Sequence, residues 1–173
     1  MSAAPYFMTT TRLGFRCWRV DDLPLALALW GDPEVSRFLG GPFSPEQVRK
    51  RLEDEMALFV SHNVQYWPVF LLDSGEHVGC AGLRPYKLDE GIYELGVHLR
   101  PEFWRQGLAP EAAGGVRDYA FQTLRAEGLF AGHHPANTAS GRMLEKAGFR
   151  FIGEQFYEPL GWTEPAYMLM KPR

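Results

Sequence analysis

The stretch YELGVHLRPEFWRQGLAPEAA, from Tyr93 to Ala113, decides the fold. It alternates first as a strand does, then passes through a loop holding Gly107, and from Ala109 or Pro110 takes up helical period. Ala112, Val116, Tyr119, Ala120 and Leu124 fall on one stripe of that helix, which Glu127 and Gly128 would end. The first amides of a helix lack acceptors and the dipole there is positive, so a loop that delivers them predicts an anion site. A phosphorylated ligand is the expectation. Gly114 and Gly115 cost ~1 kcal/mol each relative to alanine, which points to close packing rather than helix promotion.

Upstream, QYWPVFLL at 65–72, HVGCAGLRPY at 77–86 and IYELGVHL at 92–99 read as three antiparallel strands separated by Asp73-Ser74-Gly75 and Asp89-Glu90-Gly91. Pro68 predicts an edge or bulged position. Before them, Ser44, Pro45 and Gln47 form a capping signature for a helix to about Ser61. Residues 12–18 read as a first strand. Asp21 or Asp22 then caps LPLALALW, and Gly31, Pro33, Gly40, Gly41 and Pro42 break the segment between that helix and Ser44.

Downstream, Leu129–Gly132 reads as a short buried strand, and Asn137 caps a helix through Lys146 with Gly148 at C′. FRFIGEQFY and TEPAYMLM close the chain as strands. With 173 residues, 46% of them hydrophobic, one domain spanning 1–173 is expected. The class is α/β, a mixed, mostly antiparallel sheet of six to seven strands with about four helices.

The net charge of −3 and the absence of a basic stripe argue against nucleic acid as a partner. Arg49, Lys50 and Arg51 ahead of Glu53, Asp54 and Glu55 read as a solvated helix face laced with charge pairs. No apolar run approaches the ~18 residues needed to span a bilayer, so no membrane association and a cytoplasmic location are expected. Cys17 and Cys80, both placed in strands, read as small buried thiols, and no metal set is visible.

WRQGLA, Trp104–Ala109, and NTASGRMLEKAGF, Asn137–Phe149, carry a resemblance that runs over almost the whole element order. The chain is similar to the GCN5-related N-acetyltransferases and resembles their RimJ/RimL branch. The first motif resembles the family's Q/R-x-x-G-x-G/A loop, with Gly107 and Ala109 at the small positions and Trp104 a departure at the first. The resemblance implies that Trp104, Arg105, Gln106, Gly107, Leu108 and Ala109 contact the acetyl-CoA pyrophosphate, and that Asn137 lines the CoA arm. It also implies that Val97 and Leu99 pair with pantetheine. An ordinary strand-to-helix turn and a plain helix cap are the alternative readings of these two segments. Lys146 reads chiefly as a partner of its helix dipole.

Transfer from a thioester to an amine needs a neutral amine, an oxyanion donor and a proton for the thiolate. Glu94, on the strand before the cofactor-pairing residues, resembles the family's general base; a salt-bridged strand glutamate is the alternative. The tyrosine that many relatives use as acid is replaced by Leu144, which leaves Ser140 as the candidate acid, or else a helix-start hydroxyl. His133 and His134 end a central strand where a histidine could touch a ligand, although packing is the commoner use. Cys80 lacks a visible base and reads poorly as a nucleophile. Among the aromatics Trp30, Phe38, Phe43 and Trp67, those near the helix break could line an acceptor pocket. The expected activity is acetyl transfer from acetyl-CoA to a primary amine, a protein N-terminus or a small molecule, by a monomer or homodimer. The alternative is a CoA-binding regulatory module without turnover.

Overall fold

A computed structural model describes residues 5–173. Eight strands form one sheet in the order β1-β2-β3-β4-β5-β6-β8-β7. They are β1 Met8–Thr9, β2 Leu13–Phe15, β3 Tyr66–Leu71, β4 His77–Lys87, β5 Ile92–Leu99, β6 Gly128–Gly132, β7 Arg150–Tyr157 and β8 Trp162–Met170. The β5–β6 pairing is parallel and the others are antiparallel. Five α-helices accompany them: α1 Leu23–Trp30, α2 Pro33–Ser36, α3 Pro45–His62, α4 Leu108–Gln122 and α5 Thr138–Lys146. The extra strand is the two-residue β1, and the extra helix is the single turn α2, capped by Asp32. Both are too short to leave a periodic signal.

Local signals place most boundaries. The Ser44 hydroxyl accepts from the Gln47 amide while Gln47 accepts from the Ser44 amide, completing the capping box of α3. A register shift falls between Val69 and Phe70, next to Pro68, which sits on the interior strand β3 rather than at an edge. The first strand is shorter than 12–18, so Cys17 lies beyond it. Leu124 lies past the end of α4 and still packs against the main core. Of the paired glycines, Gly115 is the packing one: a Cβ there would meet Thr10 at 2.7 Å, whereas at Gly114 the space is nearly open.

The sheet separates two kinds of core. On the α4–α5 side, Leu83, Leu95, Ala112, Val116, Ala120, Leu129, Leu144 and Phe149 form one apolar cluster. On the α1–α3 side, Trp18, Leu29, Trp30, Val48, Leu52, Tyr66 and Cys80 form another, and this one shares its face with buried Glu55 and Gln65. Arg51 and Glu55 therefore correct the solvated-face reading of the basic run. Lys50 pairs with Asp54 in solvent, but Arg51 turns inward to a carboxylate that is 1% exposed.

Candidate active site

The site begins where the sheet opens. β5 and β6 pair only over Ile92–Gly128, Tyr93–Leu129 and Glu94–Phe130, after which the ladder stops. β5 stays paired with β4 as far as Leu99. The period of two along a strand then sets the direction of its backbone groups. Gly91 O accepts from Glu127 on the β6 side, Arg100 N donates to Val78 on the β4 side, and Trp104 Nε1 donates to Leu99 O at 2.8 Å. The backbone groups of Val97 and Leu99 accordingly turn toward the gap.

Two cavities meet at this gap. The wider, about 590 Å³, is lined by Val97, Leu99, Trp104, Arg105, Gly107, Leu108, Ala109 and Asn137, with Arg142 and Lys146 also on its wall. Arg105 (φ 60°) and Gly107 (φ 74°) both take left-handed backbone, so the loop curls back and presents the start of α4 to the cavity. The Gln106 side chain does not line either cavity: its amide donates to Glu102 O, and the backbone carbonyl accepts from Arg12 Nη1. The loop is anchored from the first hairpin. Glu111 accepts from the Thr10 hydroxyl, the Arg12 amide and Arg12 Nε. Burial alone would raise the Glu111 carboxyl, but these bonds outweigh it and hold the carboxyl below its usual range.

The narrower cavity, about 160 Å³, is lined by Glu94, Tyr66, Arg84, Tyr157, Trp162 and Glu164 among others. Ser140 and Asn137 stand on both cavities, as do Phe38, Val97, His98 and Met143. Asn137 Oδ1 accepts from the Ser140 amide, so the cap and the candidate acid are one local unit. Leu144, where relatives carry tyrosine, is 3% exposed and belongs to the core.

The electrostatics centre on Glu55 and Glu94. Glu55 accepts from Arg51 Nε at 3.0 Å, Arg84 Nη2 at 2.8 Å and the Tyr66 amide at 2.8 Å. The Arg84 guanidinium lies 4.3 Å from the centre of the Tyr66 ring. Arg84 is the β4 neighbour of Glu94. Part of Glu94 opens onto the cavity, yet burial raises its carboxyl above the ordinary range. The Glu164 carboxylate adds to that rise, while Arg84, Arg51 and the Tyr66 hydroxyl oppose it. A raised carboxylate beside fixed cations is a better proton acceptor than a free one and remains tethered in place. Burial, then Glu94, also keeps the Tyr157 hydroxyl protonated.

His133, His134 and Cys80 take the packed, unreactive places the sequence favoured, whereas Cys17 is only partly buried. His133 Nδ1 donates to His134 O, and His134 packs edge-on to Trp162, so both line the narrow cavity while making local contacts. Cys80 does have a neighbouring imidazole, with Sγ 3.6 Å from His98 Nδ1. Burial pushes that thiol up to about 12, which keeps it protonated and unreactive. Trp30 and Trp67 are core residues, Phe43 packs beside the α1–α3 cluster, and Phe38 alone of that set reaches the cavities. The residues missed from sequence are Arg84, Tyr157, Trp162, Glu164 and His98. The last had a signal: Glu94, Gly96 and His98 form a period-two stripe opposite Tyr93, Leu95, Val97 and Leu99.

The family model described as the acetyltransferase (GNAT) domain matches residues 12–150. The chain belongs to the GNAT acetyltransferase family. YoaA of Bacillus subtilis, described as an uncharacterized N-acetyltransferase, is 28% identical over 172 residues, covering 96% of this chain and 97% of its own. A GNAT acetyltransferase structure from Bacillus anthracis aligns with a TM-score of 0.82 and 26% identity over 94% of this chain and 97% of that one. The ribosomal L7/L12 acetyltransferase RimL, solved with coenzyme A, shares the fold at a TM-score of 0.79 and 17% identity, over 93% and 95% of the two chains. GNAT enzymes take their acetyl group from acetyl-CoA. No helix of the described residues is long and apolar enough to cross a membrane.

Proposed function

We propose that this GNAT enzyme transfers an acetyl group from acetyl-CoA to a primary amine by direct attack, with the donor in the wider cavity and the amine in the narrower one. The observation that carries this reading is the opening of β5 from β6 beyond Glu94 and Phe130, with a cavity on each side of the gap. The wide cavity fits the donor chemically. Extended backbone at Val97 and Leu99 suits an amide-bearing arm. The Arg105–Ala109 loop and the α4 start suit a pyrophosphate, and Arg142 and Lys146 suit a further phosphate. Val97, Leu99, Trp104, Arg105, Gly107, Leu108, Ala109 and Asn137 form the donor contacts in this reading, and Gln106 serves through its backbone.

On the other side, Glu94 accepts the ammonium proton, directly or through water, and the freed amine attacks the acetyl carbon. A backbone amide of β5 aimed at the developing oxyanion is worth about 3 kcal/mol. The C–N bond forms, the C–S bond breaks, and the proton released by the attacking nitrogen passes by way of the Ser140 hydroxyl to the departing thiolate, leaving the amide and the CoA thiol. A protein N-terminus suits this site better than lysine. At a pH of about 7.4 an α-amine near ~7.8 loses its proton for well under 1 kcal/mol, whereas a lysine near ~10.4 costs ~4 kcal/mol. Small amines of similar basicity fit equally well.

Thiol release from acetyl-CoA over a panel of amines and N-terminal peptides tests the reading. Turnover with at least one α-amine class is expected. Stabilisation by acetyl-CoA without thiol release from any acceptor would overturn it in favour of a CoA-binding module.

A further inference from the structure

His98 stands at the junction of the two cavities and has no role in the mechanism above. Its side chain shares a strand face with Glu94 and points toward α1, where Trp30 is fully buried. Trp30 Nε1 is a donor only, and it donates to His98 Nδ1 at 3.3 Å. The Cys80 sulfur packs 3.6 Å from the same nitrogen. An Nδ1 that accepts carries no proton, so a neutral ring holds its proton on Nε2. Burial, with Arg51 and Arg84 adding repulsion, holds the imidazole far below its usual protonation range and keeps the ring neutral. Arg51 packs 4.7 Å from the centre of the Trp30 ring, which fixes the clamp from the other side.

We infer that His98 is a catalytic hydrogen-bond donor, whose Nε2–H, oriented by the Trp30 indole, stabilises the negative charge that develops as the amine attacks the thioester. The inference rests on the acetyl-transfer reading above. Neutral imidazole is a far weaker acid than a thiol, so His98 keeps its proton throughout. The amine proton still leaves by Glu94, and the C–S electron pair departs with sulfur. A neutral donor suits this place better than an imidazolium, which would compete with the acceptor's own ammonium for Glu94.

The test combines ring spectroscopy with kinetics. In ¹⁵N-edited spectra of the protein alone at pH 7, His98 should show the neutral Nε2–H form, and Trp30→Phe should relax it toward a mixture. His98→Ala should lower kcat/KM about a hundredfold through kcat, with acetyl-CoA affinity held within twofold. His98→Gln, whose amide donates near the Nε2 position and cannot titrate, should recover most of that loss. A ring found as Nδ1–H or as imidazolium, or a His98→Ala enzyme within twofold of the parent, overturns the inference. Equal losses in His98→Ala and His98→Gln also overturn it, because they mark a packing role. Absence of turnover in the unaltered protein instead strikes the acetyl-transfer reading, while the spectra still report the ring.

Discussion

The two cavities are built in opposite ways. The wider cavity draws on three runs, Glu34–Leu39, Val97–Pro110 and Ala136–Lys146, and offers much of its polar surface from backbone: an open strand edge, left-handed turns and a helix start. The narrower cavity gathers Arg51, Tyr66, Arg84, Glu94, Tyr157, Trp162 and Glu164 from α3, β3, β4, β5, β7 and β8, and presents side chains. Backbone recognition tolerates drift in sequence as long as the chain can take the turn. Side-chain recognition changes with every substitution, so a family can keep one donor and exchange its acceptors.

The largest expected effect falls on the acceptor side. Glu94→Gln should cut kcat/KM about a hundredfold to ten-thousandfold with acetyl-CoA affinity intact, measured by thiol release and thermal shift. Because burial raises the Glu94 carboxyl, kcat/KM should fall as pH drops through a value above the ordinary carboxylate range, and that limb should vanish in the variant. An unchanged profile would remove Glu94 from the mechanism. Glu55→Ala strips the buried partner from both Arg51 and Arg84, and should cost about 3 kcal/mol in denaturant unfolding. If stability holds and only the acceptor KM moves, the cluster positions the substrate rather than the fold.

Ser140 belongs to both cavities. Ser140→Ala should lower kcat about tenfold, and full turnover with unchanged donor affinity would leave it a cap residue only. Gly107→Ala confines the effect to the donor side: a Cβ at φ 74° costs about 1 kcal/mol, which should appear as a several-fold rise in the KM for acetyl-CoA. Arg12→Ala should cost about 0.5 kcal/mol, since its side chain is 47% exposed. The Glu111 carboxyl lies below its unfolded value, so this contribution is complete above the unfolded pKa and is lost as pH falls through the folded one. The stability gap between parent and variant should close in acid.

Much of the wider cavity's lining was legible in the sequence because its signals are local. Gly107, the Asn137 cap and the switch from period two to 3.6 lie within stretches that a short window covers. The narrower cavity was not, because spacing within one helix cannot separate a buried pair from an exposed one. Lys50–Asp54 and Arg51–Glu55 have the same separation on α3, and only the approach of Arg84 from β4 tells them apart. His98 was masked because the family resemblance points to Val97 and Leu99 on either side of it and says nothing of the face on which its own ring lies. What a period reveals is the face on which a side chain lies; what packs against that face comes from another part of the chain.

The anchor on the donor loop carries one more consequence. Thr10 and Arg12 reach Glu111 and the carbonyl of Gln106 across sequence separations of 94 to 101 residues. During synthesis the first hairpin therefore leaves the ribosome long before the groups it holds exist, and the Trp104–Ala109 loop gains its fixed shape only when the two ends of that span meet. A change near the amino terminus, such as a fused tag or a truncation, would then present itself as a defect in nucleotide-thioester affinity, far from where the alteration was made.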